Sequence, residues 1–163
     1  MTDTKRHFTQ RLNRQELIHS VRTAVAALVS LEIARLFRLP EAYWTAITTI
    51  IVMQSTLGAS LTVSGQRLAG TILGCALGAL LATYLPPNVI LFSAGVFVLG
   101  VICALLGLER NAYRFAGITL AIVMLIGRTQ AARIIAAHRF FEVTLGIAVA
   151  LLLTALWPER ELP

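Results

Sequence analysis

Charge is scarce in this chain. Its 163 residues hold 14 lysines and arginines and 8 acidic residues, so 13% are charged, while 57% are hydrophobic and the mean hydropathy is +0.77. A soluble domain carries nearer a quarter charged residues, and a core of this length could not enclose so much apolar sequence. A polytopic membrane protein is the class that fits. Histidine and cysteine are also few. His7, His19 and His138 have no partner at metal-ligand spacing, and neither do Cys75 and Cys103. No metal or cofactor is expected, and the cysteines, each inside an apolar run, read as packing residues. A glycine-rich phosphate loop and a nucleophile–base pattern are both missing, which argues against an enzyme. No secretory signal is read: the first apolar run begins only after Arg22, and no small-residue cleavage site follows. The net charge of +6 does not imply nucleic acid, because the basic residues gather at helix ends and in the N-terminal segment.

What the chain does have is long apolar runs. The central one, residues 66–86, opens on Arg67 and then carries no charge before Pro86. About twenty such residues suffice to cross a bilayer as a helix. Gly70, Gly74 and Gly78 fall four apart on one face, where small residues let another helix approach closely. Six runs in all, near 21–39, 42–57, 66–86, 89–108, 113–126 and 139–158, predict an all-α membrane protein of six spans. Residues 1–19 then form a basic cytoplasmic segment, either a helix lying on the membrane or a tail. Residues 20–158 form the membrane domain and 159–163 a short cytoplasmic tail, with no soluble domain at either end. In the first span Arg22 and Arg35 are expected to snorkel toward opposite interfaces, with Glu32 paired to Arg35 three residues on. Tyr43 and Trp44 suit an interface. Residues 58–65 read as a polar loop and 127–139 as a polar connection, while the uncharged fourth span is expected to face lipid.

The central run has a second copy. Residues 139–158 align with 67–86 at a shift of 72, matching Arg139 to Arg67, Gly146 to Gly74 and Pro158 to Pro86. The preceding span aligns at a shift of 71, matching Ile47, Thr48, Ile51, Val52 and Met53 to Ile118, Thr119, Ile122, Val123 and Met124. Two copies of three spans must have opposite orientations, a 3+3 inverted repeat, the plan of many secondary transporters. With the N-terminus inside, nine lysines and arginines fall on the inner side and five on the outer, which places both termini in the cytoplasm.

The stretch YWTAITTIIVMQSTLGASLTVSGQRLAGTILGCALGALL resembles the membrane signature of the fusaric acid resistance and aromatic acid exporter families. AAHRFFEVTLGIAVALLL is similar to the later signature of the same domain. Gln54, Arg67, Gly70, Gly74, Arg139, Glu142 and Gly146 carry the likeness. The resemblance implies a bacterial inner-membrane domain that exports aromatic or other organic acids on the proton gradient. The plant aluminium-activated malate channels look like distant relatives with a dimeric anion pathway. Typical members join membrane domains to sizeable cytoplasmic domains, so a pathway formed by this single membrane domain requires a homodimer.

Within this frame Arg67 and Arg139 are candidate anion-attracting gates, since guanidinium binds carboxylate in bidentate fashion; the alternative is that each anchors a helix end. Arg128 and Arg133 are weaker candidates of the same kind. Glu142, three residues from Arg139, and Glu32 are candidate proton-coupling groups or else structural ion-pair partners. Thr48 and Thr119 are candidates to hydrogen-bond a substrate on the path, or else bond back to their own helix; Gln54 lines the path or caps the turn. Gly70, Gly74, Gly78 and Gly146 are packing positions. The expected function is export of a small organic anion by a homodimer in the lipid bilayer. The alternatives are a passive anion channel and a non-transporting subunit that docks a separate partner.

Overall fold

A computed structural model describes residues 14–86, 88–126 and 131–157. The tail 159–163, Arg128 and most of the N-terminal segment lie outside the described residues. Every regular element described is helical: α1 Arg14–Leu36, α2 Tyr43–Val52, α3 Leu57–Tyr84, α4 Val89–Leu105, α5 Arg110–Ala121 and α6 Ala132–Leu156. Ile122–Ile126 continues α5 as one π-helical turn.

Three of the helices are long and apolar enough to cross a membrane: α1, α3 and α6, with mean hydropathies of 1.5, 1.4 and 1.8. At 1.5 Å per residue α3 is about 42 Å long, more than the ~30 Å hydrocarbon core. By the same measure α2, with its 10 residues, reaches only about 15 Å. The second predicted span is therefore a short helix that stops at Val52. The predicted loop 58–65 is helical, forming the first turns of α3. Thr62 of this stretch bonds within the helix, and Thr56 just before it caps the helix. Thr56 accepts from the Ala59 N–H at 3.3 Å, and the Thr62 hydroxyl donates to the Gly58 carbonyl at 3.1 Å. Likewise α6 begins at Ala132, inside what reads in sequence as a connection.

The break between α2 and α3 leaves helix-end groups that need partners. Side chains supply them. The Gln54 N–H donates to Ser60 Oγ at 3.1 Å, and the Gln54 side-chain amide donates to the Ile51 carbonyl at 3.2 Å. Arg22 does not snorkel as the sequence suggests. Its side chain is buried and donates to the carbonyls of Gln54 and Trp157, the latter at 2.9 Å. One guanidinium thus caps the end of α6 and the α2–α3 break together, a role that five fixed N–H donors permit. Arg22→Met is expected to lower stability by about 2–4 kcal/mol, since charged hydrogen bonds contribute ~1.5–3 kcal/mol each. Thermal unfolding of the detergent-solubilised protein measures it.

Packing is inside-out relative to a soluble bundle. Large apolar side chains such as Leu28, Leu36, Ile90, Phe97 and Leu105 face outward. On α4 only Gly95, Leu99 and Cys103 are buried. The interior is built from Ala, Gly, Thr and Ser with three small apolar clusters. Cys75 and Cys103 are free and buried within it. α3 packs chiefly on α5 and α6, and α6 also on α2. The contacts are close enough to need glycine. A Cβ on Gly74 would lie 2.5 Å from the Ala116 carbonyl oxygen and 2.7 Å from Thr119 Cβ; on Gly146 it would lie 2.6 Å from the Thr45 oxygen and 2.8 Å from Thr48 Cβ. Gly70 meets the Ala112 carbonyl and Phe115, and Gly78 meets Val123. Gly146→Ala must push α6 off α2, at about 1–3 kcal/mol. Gly117→Ala, in the same kind of helix but with open space around it, is expected to be neutral or stabilising by about 0.5–1 kcal/mol. The pair of melting temperatures tests whether close approach, rather than helix propensity, is what glycine provides.

Candidate functional site

These glycine contacts follow the shifts found in the sequence. Gly74 on α3 meets Ala116 and Thr119 of α5; 72 positions on, Gly146 of α6 meets Thr45 and Thr48 of α2, the residues 71 positions before Ala116 and Thr119. The arginines obey the same relation. The Arg67 guanidinium lies over the Phe115 ring at 4.6 Å. The Arg139 guanidinium lies over the Trp44 ring at 4.4 Å. Arg67 reaches from α3 onto a ring of α5, and Arg139 from α6 onto a ring of α2.

Both side chains are buried, at 2% and 3% exposure. Arg67 lies about 15 Å along α3 from its start and Arg139 about 10 Å along α6. Neither sits at a helix end, because both helices begin earlier than the sequence pattern suggests.

Their chemical surroundings differ sharply. Arg139 is ion-paired with Glu41, and its Nη1 is 3.2 Å from Glu142 Oε2. That second contact has ion-pair distance without hydrogen-bond alignment, as neither atom makes a hydrogen bond. Glu142 is fully enclosed, and its Oε1 accepts from the Glu41 backbone N–H at 3.2 Å. Arg67 has no carboxylate partner among the described residues. Its Nη2 donates to Thr48 Oγ1 in a long 3.4 Å contact, and its buried Nε–H has no partner. At the positions 72 before Glu142 and 71 after Glu41 stand Gly70 and Ala112, neither of them acidic.

The remaining candidates separate. Thr48 faces Arg67, whereas the Thr119 hydroxyl donates to the Phe115 carbonyl at 2.9 Å. Gln54 is engaged in the α2–α3 break. Glu32 pairs with Arg35 at 2.8 Å on an exposed face of α1, far in kind from the enclosed Glu142. Arg133 is exposed. Sequence reading overlooks Glu41, because a residue just after Pro40 looks like plain loop. It also overlooks Phe115 as a ring partner, although the shift of 71 sets it opposite Trp44. Thr49, on the same face of α2 as Thr45 and Thr48, bonds to the neighbouring helix as their helical spacing suggests: its hydroxyl lies within 3.0 Å of the Thr45 carbonyl and 3.1 Å of the Gly146 carbonyl.

A buried guanidinium without a counter-charge is costly to hold. Planar, always charged and set beside a hydroxyl and a ring, it offers a carboxylate a bidentate partner. All-helical architecture and an outward apolar surface define a membrane protein. The chain belongs to the family described as fusaric acid resistance protein-like, whose profile matches residues 26–153. It is 32% identical over 152 residues to the inner membrane protein YeeA of Escherichia coli (strain K12), covering 88% of this chain and 42% of YeeA. It is 31% identical over 147 residues to an uncharacterized protein of Haemophilus influenzae, covering 86% of this chain and 20% of that protein. The chain therefore spans less than half the length of either relative. No solved structure gives a match.

Proposed function

We propose that this chain forms the membrane domain of an organic-anion exporter in the bacterial inner membrane, acting on aromatic carboxylic acids as a homodimer driven by the proton gradient. The observation that carries the reading is Arg67, a buried guanidinium that lacks a carboxylate partner among the described residues and retains an unused N–H. A substrate carboxylate supplies the missing charge, and Phe115 supplies an aromatic neighbour. In this reading residues 20–158 are the membrane domain, with 1–19 and 159–163 cytoplasmic, and its six helices form a 3+3 inverted repeat. The glycine and arginine contacts related by 71 and 72 positions support the repeat. The charge bias supports cytoplasmic termini, and keeps its sign when the buried Arg22, Arg67 and Arg139 are left out of it. Of the two carboxylates considered for proton coupling, enclosed Glu142 supports the role better than exposed Glu32.

The test is flux of benzoate from proteoliposomes holding the purified chain. Efflux that requires an imposed pH gradient supports an exporter. Currents independent of the gradient make it a passive anion channel. An inert chain that co-purifies with a stoichiometric partner makes it a docking subunit.

A further inference from the structure

We infer that Glu41 is an internal substitute for the substrate carboxylate, closing at Arg139 a second anion site equivalent to the one at Arg67. The inference rests on the organic-anion reading above. Its basis is the unequal filling of two related sites. Around Arg67 the repeat positions carry Gly70 and Ala112, and no acid. Around Arg139 the same positions carry Glu142 and Glu41, and both carboxylates engage the guanidinium.

One carboxylate is enough to neutralise one guanidinium, so one of the two is surplus. Glu142 is the fixed one: it is fully enclosed, on the same helix as Arg139, and it holds the Glu41 N–H. Glu41 is the replaceable one. It lies in the turn between α1 and α2, and its side chain is 36% exposed. Its backbone is pinned at both ends, the N–H by Glu142 and the carbonyl by the Trp44 N–H at 3.0 Å. Only the side chain is left to move, and a rotamer change frees Arg139 without rearranging the turn. A second observation points to a ligand there. The indole N–H of Trp44, whose ring carries the Arg139 guanidinium, is buried and has no hydrogen-bond partner. Glu41 leaves that donor unused. An incoming monocarboxylate displaces the Glu41 carboxylate into solvent, takes the Arg139 guanidinium, and has the indole N–H as a spare donor. Two sites then exist, one open and one closed by the chain's own acid, so that anion occupancy of the second site is set by competition.

The test uses benzoate and the fluorescence of Trp44 in the purified chain carrying Trp157→Phe, which leaves Trp44 as the sole tryptophan. In an Arg67→Ala background, Glu41→Gln is expected to create a saturable Trp44 response with a Kd at least tenfold lower than with Glu41 present. Adding Arg139→Lys, which keeps the charge that Glu142 needs but loses the planar fork, is expected to weaken that binding at least tenfold. Glu41→Gln alters a half-exposed side chain, and an unchanged melting temperature verifies its fold; Glu41→Ala serves as the second variant. No gain on removing the Glu41 carboxylate overturns the inference, as does a gain that survives Arg139→Lys. Benzoate flux from proteoliposomes, compared between Arg67→Ala and its parent, reports separately on the open site, so the failure of one reading is not the failure of the other.

Discussion

Arg67→Ala is expected to abolish anion movement while leaving the protein as stable as before, or more so. Removing a buried charge normally damages a fold because it strands a partner. Here the described surroundings hold no carboxylate to strand, only a hydroxyl at 3.4 Å and a ring face. The desolvation cost of the guanidinium disappears with it. What is lost, on the proposed function, is the counter-charge for the substrate. A charge-assisted hydrogen bond in a buried setting contributes about 1.5–3 kcal/mol, and a bidentate pair makes two, so benzoate flux falls roughly 100-fold or more at 1.4 kcal/mol per tenfold. Arg67→Lys separates charge from geometry: it keeps the first and loses the planar fork, so an intermediate loss is expected. Flux and melting temperature measured on one preparation decide the matter. A protein that melts much lower, with flux falling only in proportion to folded protein, would make Arg67 a structural residue.

Arg139→Ala is expected to give the opposite pattern, a destabilised protein. Its guanidinium is the counter-charge of Glu142, which is fully enclosed, and breaking a buried pair from one side costs about 3–5 kcal/mol. For a chain of this size that corresponds to a melting temperature lower by roughly 6–20 °C. Removing both charges in Arg139→Met with Glu142→Leu is expected to recover most of the loss, because no enclosed charge remains and the 36%-exposed Glu41 carboxylate can turn to solvent. If Arg139→Ala melts with the parent, Glu142 is hydrated in the native protein and the pair carries no stability. Together the two alanine substitutions test whether the repeat's equivalent arginines have diverged, one kept open for a ligand and the other closed by internal acids.

The sequence by itself determined the solvent of this protein and carried the internal likeness between its two halves. Scarce charge and long apolar runs specify helices in a membrane, since a backbone in hydrocarbon must satisfy its own hydrogen bonds. The shifts of 71 and 72 were legible because Arg67, Gly74 and Thr48 recur as Arg139, Gly146 and Thr119. Hydropathy also misplaced boundaries. The stretch 58–65 looks like loop because it is polar, yet it is helical: Thr62 bonds the Gly58 carbonyl inside α3, and Ser60 accepts from the Gln54 N–H before it. The tertiary structure alone decided what the charges do. Arg22 reads as a snorkelling cation, but it reaches the Gln54 and Trp157 carbonyls, 32 and 135 positions away. Glu41 reads as loop, but it crosses 98 positions to Arg139. Periodicity and hydropathy report each residue's own helix. The partner of a buried charge depends on which helices meet and at what depth, and only the packed fold fixes that.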